Sequence, residues 1–111
     1  MLFRSDVLAK IVARKDASAH DLIDLACVKL KRFADDVQKQ EQETPQIRDL
    51  CKRALALDPK LAAAHYLLGA VAFDREQDAA TAKTEFEQAN QLAPNDVPTR
   101  LRLAEIGRAH V

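Results

Sequence analysis

The chain has 111 residues, with 17 Lys plus Arg against 17 Asp plus Glu and a formal net charge of zero. Balanced charge argues against a nucleic-acid surface as its main business, and 48% hydrophobic residues argue against wholesale disorder. Two glycines, four prolines and no tryptophan favour helices joined by short loops, in one small domain or a piece of a larger one. No apolar run approaches the roughly twenty residues that a membrane helix needs.

Asp6 to about Lys15 reads as a short helix, with Val7, Leu8, Ile11 and Val12 on one side. Lys15-Asp16-Ala17 is a break. Ser18 is a helix cap, with Asp21 in the place of a capping box's Glu. The helix that follows runs to about Lys39 by its stripe of Ile23, Ala26, Leu30, Phe33 and Val37, widened by Leu22 and Leu25. Gln38 to Glu43 reads as a polar loop. Thr44-Pro45 is a fresh start, since Thr caps and Pro suits a first turn. Ile47, Leu50, Cys51, Ala54 and Leu57 form the buried face of that third helix, which Asp58-Pro59 ends.

Leu61, Ala64, Leu68, Val71 and Ala72 line a fourth helix. Gly69 sits in its middle at a cost of about 1 kcal/mol relative to Ala, which close approach of a paired helix would offset. Asp74–Asp78 is a polar turn. Ala79, Ala82, Phe86, Ala89 and Ala93 mark a fifth helix, Pro94-Asn95-Asp96 a stop and a cap, and Leu101, Leu103 and Ala104 the start of a sixth. The expected pairing joins the first or second helix with the third and the fourth with the fifth. The sixth is left without a mate and with an open apolar face.

One pattern occurs twice at a constant offset of 35 residues. Ile47-x3-Cys51-x2-Ala54-x2-Leu57-x-Pro59 returns as Ala82-x3-Phe86-x2-Ala89-x2-Leu92-x-Pro94, and Leu68-Gly69 falls on Leu103-Ala104. A fixed period of this size, with small residues and Pro at set distances from a bulky apolar position, is how helical hairpins repeat. Such hairpins bury their apolar faces against their neighbours and leave an extended surface for a partner.

Ala82, Phe86, Ala89 and Pro94 resemble the second half of a tetratricopeptide repeat, and Leu68-Gly69 with Phe73 the first half. His65 stands where that family usually has a large aromatic, and one extra residue separates Gly69 from Ala82 relative to its roughly thirty-four-residue unit. The resemblance implies an all-α, right-handed solenoid of antiparallel helical hairpins over residues 45–104, preceded by irregular N-terminal helices over 6–44. Leu68, Gly69, Ala82, Phe86, Ala89 and Pro94 would be its repeat-packing residues. It also implies a concave groove on the first-helix side, where Ala63, Tyr66, Ala70, Phe73 and Arg102 would meet an extended peptide or a helix. Tyr66 offers a flat apolar ring and one hydrogen bond. Some members of the family clamp the carboxylate of chaperone tails with Lys, Asn and Arg on first helices. The matching positions around Ala63, Tyr66, Leu67 and Ala70 carry none of these, and Arg102 comes nearest.

Residues able to carry chemistry are sparse. Gly69 and Gly107 are the two glycines, too few and too far apart for a phosphate-binding loop. His20, His65 and His110 are scattered, and no Cys-x2-Cys or His-x3-His pair offers metal ligands. Cys27 and Cys51 read as buried free thiols. His65 reads as a packing residue, while Asp35-Asp36, Glu85 and Glu87 read as exposed helix faces. Lys29, Lys31 and Arg32 read as a solvated basic face that pairs along its own helix. No cofactor and no metal are expected. The function expected is a non-catalytic module that binds a protein or peptide. The alternatives are an accessory segment of a larger enzyme or assembly protein, and a self-associating bundle seamed along Ser18–Lys39. Partner identity, oligomeric state and compartment stay open.

The ends carry a different signal. Met1–Ser5 can be encoded ATG CTC TTC CGA TCT, and Glu105–Val111 can be encoded GAG ATC GGA AGA GCA CAC GTC. The reverse complement of the first and the second itself share AGATCGGAAGAGCA, which resembles a common sequencing-library adapter. Residues 1–5 and 105–111 are therefore expected to be non-native. Recovery of the gene with these codons running on into flanking coding sequence would refute this.

Overall fold

The computed structural model describes residues 17–31 and 36–109. Five helices lie in that range: α1 (Ala19–Lys31), α2 (Val37–Leu57), α3 (Ala62–Asp74), α4 (Ala79–Leu92) and α5 (Val97–Ala109). There is no strand among the described residues. Contacts divide the chain into two compact units that meet at Pro59 and Lys60. In the first α1 packs on α2; in the second α3 packs on α4 and α4 on α5. The short helix expected over Asp6–Lys15 lies outside the described residues.

α1 begins as the sequence implies. The Ser18 amide donates to Asp21 Oδ2 and the Asp21 amide donates to Ser18 Oγ, both at 3.1 Å, so two amides that a helix start leaves unpaired are satisfied reciprocally. Leu22, Ile23, Leu25 and Ala26 are buried on one side. Cys51 is buried, Cys27 is half-buried, and neither is in a disulfide.

The helix boundaries after α1 differ from expectation. The described part of α1 reaches Lys31, and Val37, 65% exposed, opens a new helix short of Lys39. Asp36 is extended (φ −125°, ψ 95°), and its carboxylate accepts from the Lys39 amide at 3.1 Å. It caps α2 instead of pairing along a helix face. The dimer seam expected along Ser18–Lys39 thus loses its continuous helix. Phe33, Arg32 and Asp35 lie outside the described residues. Residues 38–43, expected as a loop, form the first turns of α2.

Pro45, expected to open a helix, sits inside α2. Proline in a helix removes one amide donor and crowds the carbonyl four residues back. Here Pro45 and Glu41 are both exposed, so water can reach that carbonyl. Thr44 does not cap: its buried hydroxyl donates to the Gln40 carbonyl at 2.7 Å. Tertiary contact favours continuing the helix through this point. Lys29 of α1 donates to Gln46 at 2.9 Å and pairs with Glu43 at 3.6 Å. Lys29 is therefore tied to the neighbouring helix and not part of a solvated basic face.

In the second unit α3 buries Ala64, Leu67, Gly69, Ala70, Val71 and Ala72. Leu67 is the buried leucine and Leu68 is half-buried, the reverse of what the Leu68 stripe implies. A Cβ built on Gly69 would lie 2.7 Å from Cε1 and 2.8 Å from Cδ1 of Phe86. The ring of α4 thus rests on bare backbone of α3, the close approach that a mid-helix glycine predicts. After α3 the chain turns through Gln77 at φ 53°, a left-handed conformation that disfavours a side chain.

Asp78 then caps α4. Its carboxylate accepts from the Thr81 hydroxyl at 2.6 Å and the Thr81 amide at 3.1 Å. These bonds, the hydroxyl's first, hold the carboxyl below its ordinary value of 3.8. A depressed folded-state pKa contributes stability above the unfolded value, and that contribution fades as pH falls through the lower folded value. Asp78→Ala is expected to lower the melting temperature near neutral pH, and the difference from wild type should shrink as pH falls below the ordinary carboxylate value of 3.8. A gap independent of pH would show that the ionised carboxylate is not what caps α4. Asp96 caps α5 through the same Asp-x2-Thr spacing, accepting from the Thr99 amide at 3.4 Å.

The 35-residue period is written into the backbone. α2 and α4 end at Leu57 and Leu92, and α3 and α5 begin at Ala62 and Val97, each pair at that offset. The residues that close the first two helices, Asp58 (φ −142°, ψ 91°) and Ala93 (φ −139°, ψ 78°), share one conformation. Each donates its amide to the carbonyl four residues back, Ala54 or Ala89, at 2.8 Å. Ile47, Cys51 and Ala54 are buried, and so are Ala82, Phe86 and Ala89. Leu57 and Leu92 are both exposed, against the expectation that Leu57 is core. Pro59 and Pro94 are both exposed in turns, where they end helices without packing.

Candidate functional site

Three of the five residues expected to line a groove come together around one guanidinium. Arg102 of α5 donates from Nη1 to Asp74 Oδ1 at 3.0 Å and from Nη2 to Asp74 Oδ2 at the end of α3. Glu105, one turn on, is 3.7 Å from Nη1. The guanidinium carbon lies 5.8 Å from the centre of the Phe73 ring and 5.9 Å from that of Phe86, within the range where a cation is attracted to an aromatic face. Tyr66 packs on Phe86 with ring centroids 5.5 Å apart and planes tilted by 52°. Asp74's hydrogen bonds, against the opposing effect of burial, hold the guanidinium protonated more firmly than usual.

The planar bidentate pairing uses the geometry that makes arginine suited to carboxylates. The cluster therefore joins the end of α3 to the middle of α5 over the buried Phe86 and presents a phenol, a half-buried phenyl and a guanidinium edge. Of the other two expected residues, Ala63 is exposed, whereas Ala70 is buried within its unit and offers no open surface.

His65 and Glu85 form a second polar contact, between α3 and α4. His65 Nδ1 and Glu85 Oε2 are 2.8 Å apart, and both side chains are less than a quarter exposed. His65 is thus a packing residue with a polar partner. Glu85 is not the open helix face expected for it. Glu87 is exposed and lies 4.0 Å from Lys83 one turn back. No group of three or more His, Cys, Asp or Glu able to hold a metal occurs among the described residues, and none of the described helices is long and apolar enough to cross a membrane.

Asp74 is the residue that sequence reasoning missed. It reads as one acid in a polar turn, and its partner lies 28 residues on. No local spacing rule connects the two. The available signal was indirect: the 35-residue period puts Arg102 opposite Leu67, a buried position in α3, and an arginine there needs a counter-charge.

No known protein family matches the chain, and neither a curated protein nor a solved structure matches it.

Proposed function

We propose that this chain is a helical-repeat interaction module of the tetratricopeptide kind, without catalysis of its own, that holds a peptide or helix of a protein partner. The observation that carries this reading is the agreement of sequence period and backbone period, with helix ends, closing geometry and the buried sets Ile47, Cys51, Ala54 and Ala82, Phe86, Ala89 repeating at 35 residues. Repeated hairpins stack into a solenoid, and a solenoid offers a preorganised surface whose side chains need little reordering on binding. The binding surface proposed is the one around Ala63, Tyr66, Phe73 and Arg102. There an aromatic edge and a hydroxyl favour an extended backbone with one apolar side chain. Arg102 is committed to Asp74, so its part is to hold Tyr66 and Phe73 in place.

The test is peptide selection from a display library, followed by measured affinities for the selected sequences. Tyr66→Phe keeps the ring on Phe86 and removes the hydroxyl. It is expected to weaken binding by about 0.5–1.5 kcal/mol, the net contribution of one hydrogen bond, while melting as wild type. Ala63→Trp should block binding outright. Selected peptides that bind both variants as well as wild type would remove this surface as the site.

A further inference from the structure

The period that relates α3 to α5 also relates their faces. On α3 the residues that meet α4 are His65, which pairs with Glu85, Tyr66, which packs on Phe86, and Gly69, on which the Phe86 ring rests. The residues 35 positions on in α5 are Arg100, Leu101 and Ala104, and all three are exposed. α5 uses its other side toward α4, where Thr99 and Ile106 are buried at the positions of Ala64 and Val71. Val97, at the position of Ala62, extends the uncovered face. Val97 and Leu101, 60% and 56% exposed, form with Arg100 a shallow concavity there.

We infer that this face of α5 is a docking site for an amphipathic helix of the α4 kind, supplied by a protein partner. The occupant is specified by what covers the equivalent face of α3. Its stripe reads small-x2-acid-large apolar-x2-small, as Ala82-x2-Glu85-Phe86-x2-Ala89 does. The large side chain lies over Leu101 and beside Ala104, whose methyl holds it farther from the α5 backbone than Gly69 holds Phe86, and the acid faces Arg100. Arg100 in place of His65 makes that last contact one between opposite charges, so charge complementarity selects for the acid. This site lies on a different face of α5 from Arg102 and does not depend on the groove reading.

A synthetic peptide with the sequence of residues 78–93, capped at both ends, is the probe, titrated into the full 111-residue chain by calorimetry. Saturable one-to-one binding is expected. Leu101→Glu, at an exposed position and so expected to fold and melt as wild type, should weaken binding about tenfold or more by placing a charge against the apolar stripe. Arg100→Glu should weaken it too, and a peptide carrying Lys at the Glu85 position should recover that loss. Three results would overturn the inference. The first is no saturable binding up to millimolar peptide. The second is equal binding to Leu101→Glu, which would put the peptide on α3 in exchange for α4. The third is a chain that self-associates through Leu101 and excludes the peptide, which would make a second copy the occupant.

Discussion

Phe86→Ala is expected to lower the free energy of unfolding by about 3–5 kcal/mol. Phe86 is the largest fully buried side chain among the described residues. One side of its ring lies against Gly69, where there is only helix backbone to relax into the space left behind. Another side meets Tyr66 at 5.5 Å between centroids. The loss combines the transfer of a phenyl group from core to water with a cavity that rigid helix backbone fills poorly. Small domains have roughly 5–15 kcal/mol in total, so a large part of the stability rests on this ring. Urea unfolding followed by circular dichroism measures it. A variant that unfolds at the wild-type midpoint would mean that Phe86 is not core.

Gly69→Ala separates helix propensity from packing. In an open helix the change gains about 1 kcal/mol, because Ala loses less backbone entropy than Gly. At Gly69 the new methyl would sit 2.7 Å from a buried ring, closer than two carbons pack. Overpacking of this kind costs about 1–3 kcal/mol, so the net expectation is a loss of up to about 2 kcal/mol. Gly107 in α5 is the matched control, since a Cβ there meets nothing within 4 Å. Gly107→Ala should gain about 1 kcal/mol. Opposite signs at the two glycines of one chain, measured in the same unfolding experiment, are the diagnostic result. In a Phe86→Leu background the penalty at Gly69 should largely vanish, as residues in contact are expected to couple. A gain at both glycines would show that α4 does not press on α3 at this point.

The candidate site was only partly legible in the sequence. Tyr66, Phe73 and Arg102 were placed together because first-helix positions share a side in repeats. The structure joins them through Phe86 and Asp74, one read as core alone and the other not singled out. Ala70 followed the same spacing argument, yet it points inward, because α3 is apolar around most of its circumference and spacing alone does not tell its sides apart. Arg100 and Leu101 gained meaning once α3 showed what the equivalent positions touch. α5 continues through Glu105 and Ile106 to Ala109, and Ile106 is buried.

What the sequence by itself determined about this protein is its helical class, the core stripe of α4 and most of those of α1 and α2, the capping box at Ser18 and the 35-residue period. These rest on interactions within a few residues: the 3.6-residue turn sorts apolar side chains to one side, and short polar side chains bond nearby amides. Only the tertiary structure decided that α2 runs through Pro45, that Leu57 is exposed while Leu67 is buried, and that Asp74 holds Arg102. Each of those outcomes sets a local preference of about 1 kcal/mol or a few against contacts made by residues far away in the chain. The free energy of such contacts exists only once the helices have met.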